Sequence, residues 1–287
     1  MQLRDLVRLI RTGIPAPRRA VVVTFDDGYA DNLYQAKPLL EQHEIPATVF
    51  VTTIYTETQR EFWFDELEQL VLTPGRLPCT LHIDRREIRI HADLGDAEEY
   101  SVADCHRYSA WAFRECCDPT ARHRLFRTLH DSLKPLYHDL RLAAIGWLQE
   151  WSGSSLTVRN SHRPLSSDEL TRLGEGKLIE IGAHSDTHPV LSSLPAALQR
   201  KEIVQCKTYL ENLLGCPVTS FAYPYGHPND FTRETADILI EAGFECACST
   251  IHGQVGRGAD LFQLPRVYVG NWDKETFRRR SLDGSFG

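Results

Sequence analysis

The feature that most constrains this chain is an alternation. Short runs rich in β-branched and aromatic residues are each followed by a polar turn and then, in most cases, by a stretch with helical apolar spacing. The runs are Ala20–Phe25, Ala47–Thr52, Leu178–Ala183, Thr219–Tyr223, Glu245–Ser249 and Leu264–Val269. The first leads through DDGYADN into an apolar-periodic stretch that includes Leu39 and Leu40. After the third, the spacing predicts a helix from about Leu194 to Leu214, with Ala197, Ile203, Val204, Leu210 and Leu214 near one face and Gly215 ending it. Another helix is expected from about Asp230 to Ala242, ending at Gly243. Alternation of this kind predicts an α/β fold with a mainly parallel sheet covered by helices, open or closed into a barrel.

The rhythm breaks between Ile54 and Arg163. Within that interval LHIDRREIRIHADL reads as a hairpin of two short strands, and Ser101 to Trp151 reads as two or three helices. It carries four of the five tryptophans, Trp63, Trp111, Trp147 and Trp151, so it is expected to pack as a lid or flank. The core resumes at Ser166, where Ser166 and Glu169 have the capping-box spacing that opens a helix. At 287 residues the chain is near the upper size served by one hydrophobic core. A single domain over 1–287 with a mainly helical insertion at about 54–165 is therefore predicted.

Composition excludes several classes. With 42% hydrophobic and 25% charged residues the chain is an ordinary globular protein, neither disordered nor fibrous. A net charge of -7 argues against a nucleic-acid partner, and the basic run Arg278–Arg280 reads as a solvated face or tail. There is no run of 18 apolar residues to span a membrane and no apolar signal-peptide core near Met1, so a cytosolic location is expected. The eight cysteines form no CxxC pair and are expected reduced, and Cys246 and Cys248 should share one side of a strand.

Three polar clusters follow predicted strands: TFDDG at Thr24–Gly28, HSDTHP at His184–Pro189 and FAYPYG at Phe221–Gly226. In parallel α/β architectures the loops after the strands' carboxyl ends converge on one face, so these clusters can share a site. Alone, Asp26-Asp27-Gly28 is ordinary turn chemistry, and one His-x-x-x-His pair is ambiguous. Together, two imidazoles and a carboxylate are ligands of the kind that catalytic zinc sites use, with one position left for water.

In this order and spacing the three clusters resemble the first three motifs of the polysaccharide deacetylases, carbohydrate esterase family 4, also known as the NodB homology domain. The resemblance covers roughly Ala20–Thr53 and Ser166–Val269 and leaves the insertion unexplained. It implies a distorted (β/α) barrel and metal-dependent removal of acetyl groups from N-acetylated sugars. Carried over by position, it implies Asp26 as catalytic base and Asp27, His184 and His188 as metal ligands. It also implies the backbone N–H of Tyr225 as an oxyanion donor. Zinc suits these ligands, and cobalt or nickel would fit them as well. The chemistry agrees, because hydrolysing an amide at neutral pH needs an activated water and a polarised carbonyl, which a divalent metal supplies.

Around this core several readings stay open. The side chains of Tyr223 and Tyr225 either stack on a sugar or pack internally, and Pro224 and Trp63 are further candidates for substrate contact. Ser185 and Thr187 read as loop hydrogen bonders, and Asp186 as a solvated carboxylate in preference to a support for the ligands. The third motif has Ala222 where many relatives have Arg. LPRVYV at Leu264–Val269 resembles a late motif of relatives from bacterial exopolysaccharide synthesis, which makes Arg266 the expected partner of Asp26. No Leu-x-x-His motif follows Val269, and His252 is a weak candidate for a general acid. The strand that often precedes the first motif is expected to be missing or replaced. The expected partner is an acetylated carbohydrate, an N-acetylhexosamine-containing glycan or its precursor. The alternatives are an O-acetyl esterase, a cyclic amide hydrolase of the same fold, or a sugar-binding relative without activity.

Overall fold

The computed structural model describes residues 1–58, 60–85, 88–113 and 115–283. They fall into two compact units, one built from the chain up to Thr58 and from Leu165 onward, the other from the chain between. In chain order the first unit begins with α1 (Leu3–Thr12), β1 (Val23–Phe25), α2 (Lys37–Gln42), β2 (Ala47–Val51) and α3 (Ile54–Glu57). The second unit holds α4 (Trp63–Leu72), β3 (Gly75–Arg76), β4 (Thr80–Asp84), β5 (Arg89–Asp93), β6 (Glu99–Tyr100), α5 (Val102–Arg107), α6 (Ala121–Leu133) and α7 (His138–Ser152). The first unit resumes with α8 (Ser167–Gly174), β7 (Ile179–Ala183), α9 (Ala196–Leu214), β8 (Ser220–Ala222), α10 (Arg233–Glu241), β9 (Cys246–His252), β10 (Leu264–Arg266) and α11 (Lys274–Asp283).

The first unit is organised by one sheet, β1-β2-β7-β8-β9-β10, with every neighbouring pair parallel. It curls as part of a barrel, so alternate residues of each strand separate into an outer and an inner core. Val49, Ile181, Phe221 and Ala247 pack outward with the helices, against residues such as Ile203 and Leu210 of α9. Phe50, Ala222, Cys246, Cys248 and Leu264 face the concave side, so the two cysteines do share one side of β9. Ser166 caps α8 in the expected capping box with Glu169.

Two details differ from the sequence reading. Helix α1 was not anticipated, although Leu3, Leu6, Val7 and Ile10 repeat at helical spacing; Leu3 and Val7 complete the inner core. Its start and end are tied to residues just ahead of three strands: the amino terminus of Met1 donates to the Val21 carbonyl at 2.8 Å, Gln2 to that of Lys177 at 2.6 Å, and Arg11 to that of Glu245 at 3.1 Å. The helix thus closes the curled sheet at the strands' amino ends, opposite the loops that carry the polar clusters. On α9 the buried face is Gln199, Glu202, Ile203, Cys206 and Leu210, whereas Val204 is turned out and 40% exposed.

The second unit has the expected hairpin, β4 with β5, and three helices between Val102 and Ser152. Its core is anchored by Trp63, 1% exposed, with His130 stacked at 5.1 Å and the Arg141 guanidinium 5.5 Å from its ring centre. Arg122, also 1% exposed, donates to the carbonyls of Val71, Thr73, Gly75, Ala97 and Glu98, which satisfies a buried guanidinium without a carboxylate. No helix among the described residues is long and apolar enough to cross a membrane.

Close packing of the inner core depends on one glycine. A Cβ on Gly182 of β7 would lie 2.4 Å from Cδ1 of Phe50 and 2.8 Å from Oγ of Ser220. Substitution Gly182→Ala is expected to destabilise the protein by about 1–3 kcal/mol, the usual scale of overpacking, and to lower the midpoint of urea unfolding accordingly.

Candidate active site

The three polar clusters meet where the strands end. β1 delivers Asp26 and Asp27, β7 delivers His184 to His188, and β8 leads into Tyr223 to Gly226. Backbone bonds join the loops: Thr52 N–H donates to Asp27 O at 3.4 Å, His184 N–H to Val51 O at 2.9 Å, and Ile54 N–H to Asp186 O at 2.9 Å.

Asp27, His184 and His188 form a compact donor set. Nε2 of both histidines lies 3.3 Å from the same Asp27 oxygen, Oδ1, and the histidines are 2% and 4% exposed. Nδ1 of His184 lies 2.7 Å from the Ala222 carbonyl, an acceptor only. The ring proton must therefore sit on Nδ1, which leaves the Nε2 lone pair for a ligand. Burial lowers the basicity of His184, but the Asp27 and Asp26 carboxylates more than reverse this and raise its pKa. Asp27 is pulled the opposite way: burial raises its pKa and the two histidines bring it far below the carboxylate range. A cluster whose carboxylate and imidazoles all turn toward one point fits a divalent cation.

Asp26 has a different partner. Burial raises its pKa, and the Arg266 guanidinium overrides burial and leaves it below the ordinary value. The pair is a two-pronged fork, Nη1 to Oδ1 and Nη2 to Oδ2, both at 2.7 Å. Arg266 is fixed further by donating to the Ser249 carbonyl at 2.8 Å and to Oγ1 of Thr24 at 3.2 Å. Its side chain is 17% exposed and that of Asp26 28%, so the carboxylate keeps an open side.

Glu202 of α9, 1% exposed, supports the loop between the two histidines: it accepts from the N–H of Asp186 at 3.1 Å and from the N–H and hydroxyl of Thr187, both at 2.8 Å. Sequence reasoning missed it. The available signal was a carboxylate at the spacing of the buried stripe, one residue before Ile203 and four before Cys206. Ser185 accepts from His188 N–H at 3.1 Å, a loop hydrogen bonder as expected. Asp186 is not simply solvated, because its carboxylate accepts from the Thr53 hydroxyl at 2.7 Å.

Three candidates for substrate contact are in the interior. Tyr223 is fully buried, stacked on Phe231 at 3.9 Å, with its hydroxyl donating to the Phe262 carbonyl at 2.8 Å, so neither ring face meets a sugar. Pro224 is buried as well, and its carbonyl accepts from Gly226 N–H at 2.7 Å, which gives it a turn-forming part. Trp63 belongs to the core of the second unit, and the partners on its ring described above leave no face for a sugar. Tyr225 adjoins the three donors, its ring edge-on to His188 at 4.7 Å. His252 is exposed at the end of β9, in register with Arg266.

A family model described as polysaccharide deacetylase matches residues 13–74 and 145–247, more than half of the chain. The chain belongs to this family. No curated protein matches it. Among solved structures, the Streptococcus pyogenes deacetylase PplD, in complex with acetate, aligns over 97% of this chain and 77% of its own, at 15% identity and a TM-score of 0.55. The deacetylase domain of BpsB from Bordetella bronchiseptica aligns over 93% and 77%, at 17% identity and a TM-score of 0.53. IcaB from Ammonifex degensii aligns over 98% and 80%, at 17% identity and a TM-score of 0.53. At such identities the likeness concerns the fold, and it agrees with the expected distorted barrel of strands and helices.

The geometry separates two sorts of residue in this polysaccharide deacetylase fold. His184→Ala or Asp27→Ala is expected to abolish tight metal retention after desalting, measured as metal per chain by elemental analysis. Glu202→Gln removes the charge that fixes the loop yet leaves all three donors, so a divalent metal bound by them should dissociate about 10-fold more readily, the lower end of the scale for outer-shell partners. Equilibrium dialysis checks this, with unchanged zinc affinity as the contrary result.

Proposed function

We propose that this protein is a metal-dependent hydrolase that removes N-acetyl groups from an N-acetylhexosamine-containing glycan or glycan precursor. The observation that carries the reading is the Arg266–Asp26 fork beside the Asp27, His184 and His188 donor set. An ionised carboxylate clamped in place next to three converging metal donors is the arrangement that hydrolysis needs and that sugar binding alone does not require.

Asp27, His184 and His188 would hold the ion, with zinc the first choice for two imidazoles and one carboxylate and cobalt or nickel next. When bound, a divalent metal there supplies Lewis acidity, which polarises the acetyl carbonyl and makes water a stronger acid at neutral pH. Asp26 accepts a proton from the attacking water at whichever of its oxygens the substrate leaves open. Arg266 keeps that carboxylate ionised and in one rotamer, which a lysine's single ammonium would do less well. The water oxygen bonds to the acetyl carbon as the carbonyl π bond opens onto its oxygen, and the carbon–nitrogen bond breaks as the carbonyl re-forms and the nitrogen is protonated. The proton held on Asp26 is then available to the departing nitrogen, giving acetate and a free amine. Tyr225, whose loop lies against His188, offers its backbone N–H to the negative charge that develops on the carbonyl oxygen.

Acetate release from chitooligosaccharide and from acetylated xylan tests the substrate class, with N-acetyl cleavage expected and ester cleavage alone contradicting it. Asp26→Asn should lower turnover by about 100-fold or more with metal content intact, the scale for a positioned general base. Arg266→Ala should lower kcat with KM and metal content little changed. A variant that retained normal kcat would remove Arg266 from the mechanism.

A further inference from the structure

We infer that His82 and His91, on the hairpin of the second unit, form a second binding site for a divalent transition metal, independent of the site proposed for catalysis. The two residues are direct cross-strand partners in the β4–β5 register. The hydrogen bonding shows which kind of pair they are. Arg85 and Ile88 exchange both backbone bonds, at 2.9 and 3.2 Å, and Leu94 N–H donates to Cys79 O at 2.7 Å. Hydrogen-bonded pairs of an antiparallel ladder alternate with non-bonded ones. Counting from Arg85–Ile88, the pairs Ile83–Ile90 and Leu81–Ala92 are hydrogen-bonded and His82–His91 is not. Non-bonded pairs bring side chains closest, so the register itself presses these imidazoles together.

The rings are correspondingly near, with centroids 4.0 Å apart and planes at 66°. The histidines of the catalytic cluster provide a measure within the same protein: His184 and His188, which aim Nε2 at one point, have centroids 4.9 Å apart and also meet at 66°. The two pairs share one interplanar angle, and the hairpin pair is the closer of the two. Both are exposed, so water can fill the remaining positions on an ion held between them.

The neighbours on the same face carry two carboxylates against one guanidinium. Thr80, His82 and Asp84 of β4 face Arg89, His91 and Asp93 of β5, all exposed, while Leu81, Ile83 and Ile90 turn to the core. Asp84 is paired with Arg89 at 3.3 Å and Asp93 accepts from Gly95 N–H at 2.9 Å, which places a carboxylate on either side of the imidazoles along the ladder. Imidazole suits copper, nickel and zinc, and two ligands across a hairpin staple one strand to the other.

The test uses the intact protein loaded with zinc and dialysed against excess Ni2+, with zinc and nickel per chain summed by elemental analysis. The wild type is expected to hold two metals per chain, and His82→Ala and His91→Ala one each, since a single exposed imidazole holds nickel far more weakly. Both side chains are exposed, so both variants should keep the far-ultraviolet circular dichroism of the wild type. Variants that hold as much metal per chain as the wild type, whatever the wild-type total, would overturn the inference. Failure of the catalytic assignment would lower all three totals together and leave their difference of one unchanged.

Discussion

Arg266 reaches from the last strand of the sheet to the first, and the chemistry of the site rests on how firmly it does so. The strand order places β1 and β10 at opposite edges, with no ladder pairing between them among the described residues. Side-chain bonds replace such a ladder at the catalytic end: the guanidinium holds Asp26 with two prongs and also bonds Thr24 on β1 and the Ser249 carbonyl on β9. Burying an ion pair gains little net stability, because desolvation consumes most of the attraction, so the fork is better understood as a device for geometry. It sets one carboxylate at a fixed angle beside the metal donors.

The loops show a matching investment in strain. Asp27, Ser185, His188 and Tyr225 all have left-handed backbone, with φ between 56° and 74°, and each belongs to one of the three polar clusters. Such conformations cost about 1–3 kcal/mol per non-glycine residue and persist only where surrounding bonds over-determine them. Those bonds are visible: Ser185 holds His188, Glu202 holds Asp186 and Thr187, and Thr250 donates its hydroxyl to the Tyr225 carbonyl at 2.6 Å. Neither the proposed metal ligands nor the proposed base is placed by strand geometry alone. Distortion of the loops sets Asp27 and His188, the Arg266 fork sets Asp26, and polar contacts around the loops keep the distortion in place.

Much of this was legible in the chain itself, because period-two apolar runs and helical spacing act locally. Hence the six strands, the long α9, the capping box at Ser166 and the hairpin around Arg85 were all foreseeable, with errors of a few residues at their ends. β1 and β10 proved shorter than their apolar runs, since Val21 and Val269 are 65% and 52% exposed and lie outside the ladder. Residues whose meaning depends on distant partners were harder. Glu202 reads as an ordinary helix-surface glutamate until the loop it holds is in place. Tyr223 sits beside the site in sequence yet turns to the opposite side of the sheet, into the outer core with Phe221 and Phe231. Trp63 is a candidate for substrate contact by sequence because exposure cannot be inferred from residue type, and its burial follows from helices α6 and α7, which supply His130 and Arg141.

Ala222 and Arg266 are best understood as one change in two places. Ala222 is fully buried in the inner core beside Phe50 and Leu264, and its carbonyl is already committed to Nδ1 of His184. An arginine side chain at that point would have to bury a guanidinium among apolar groups while Asp26 already has both its oxygens bonded to Arg266. One carboxylate can neutralise one cation, and a second would remain an uncompensated buried charge. The two positions are therefore mutually exclusive hosts for the charge partner of Asp26, and a small residue on β8 follows from placing the arginine on β10. The absence of arginine from the third cluster then carries no argument against activity, because the carboxylate it would have served is already held from the other edge of the sheet.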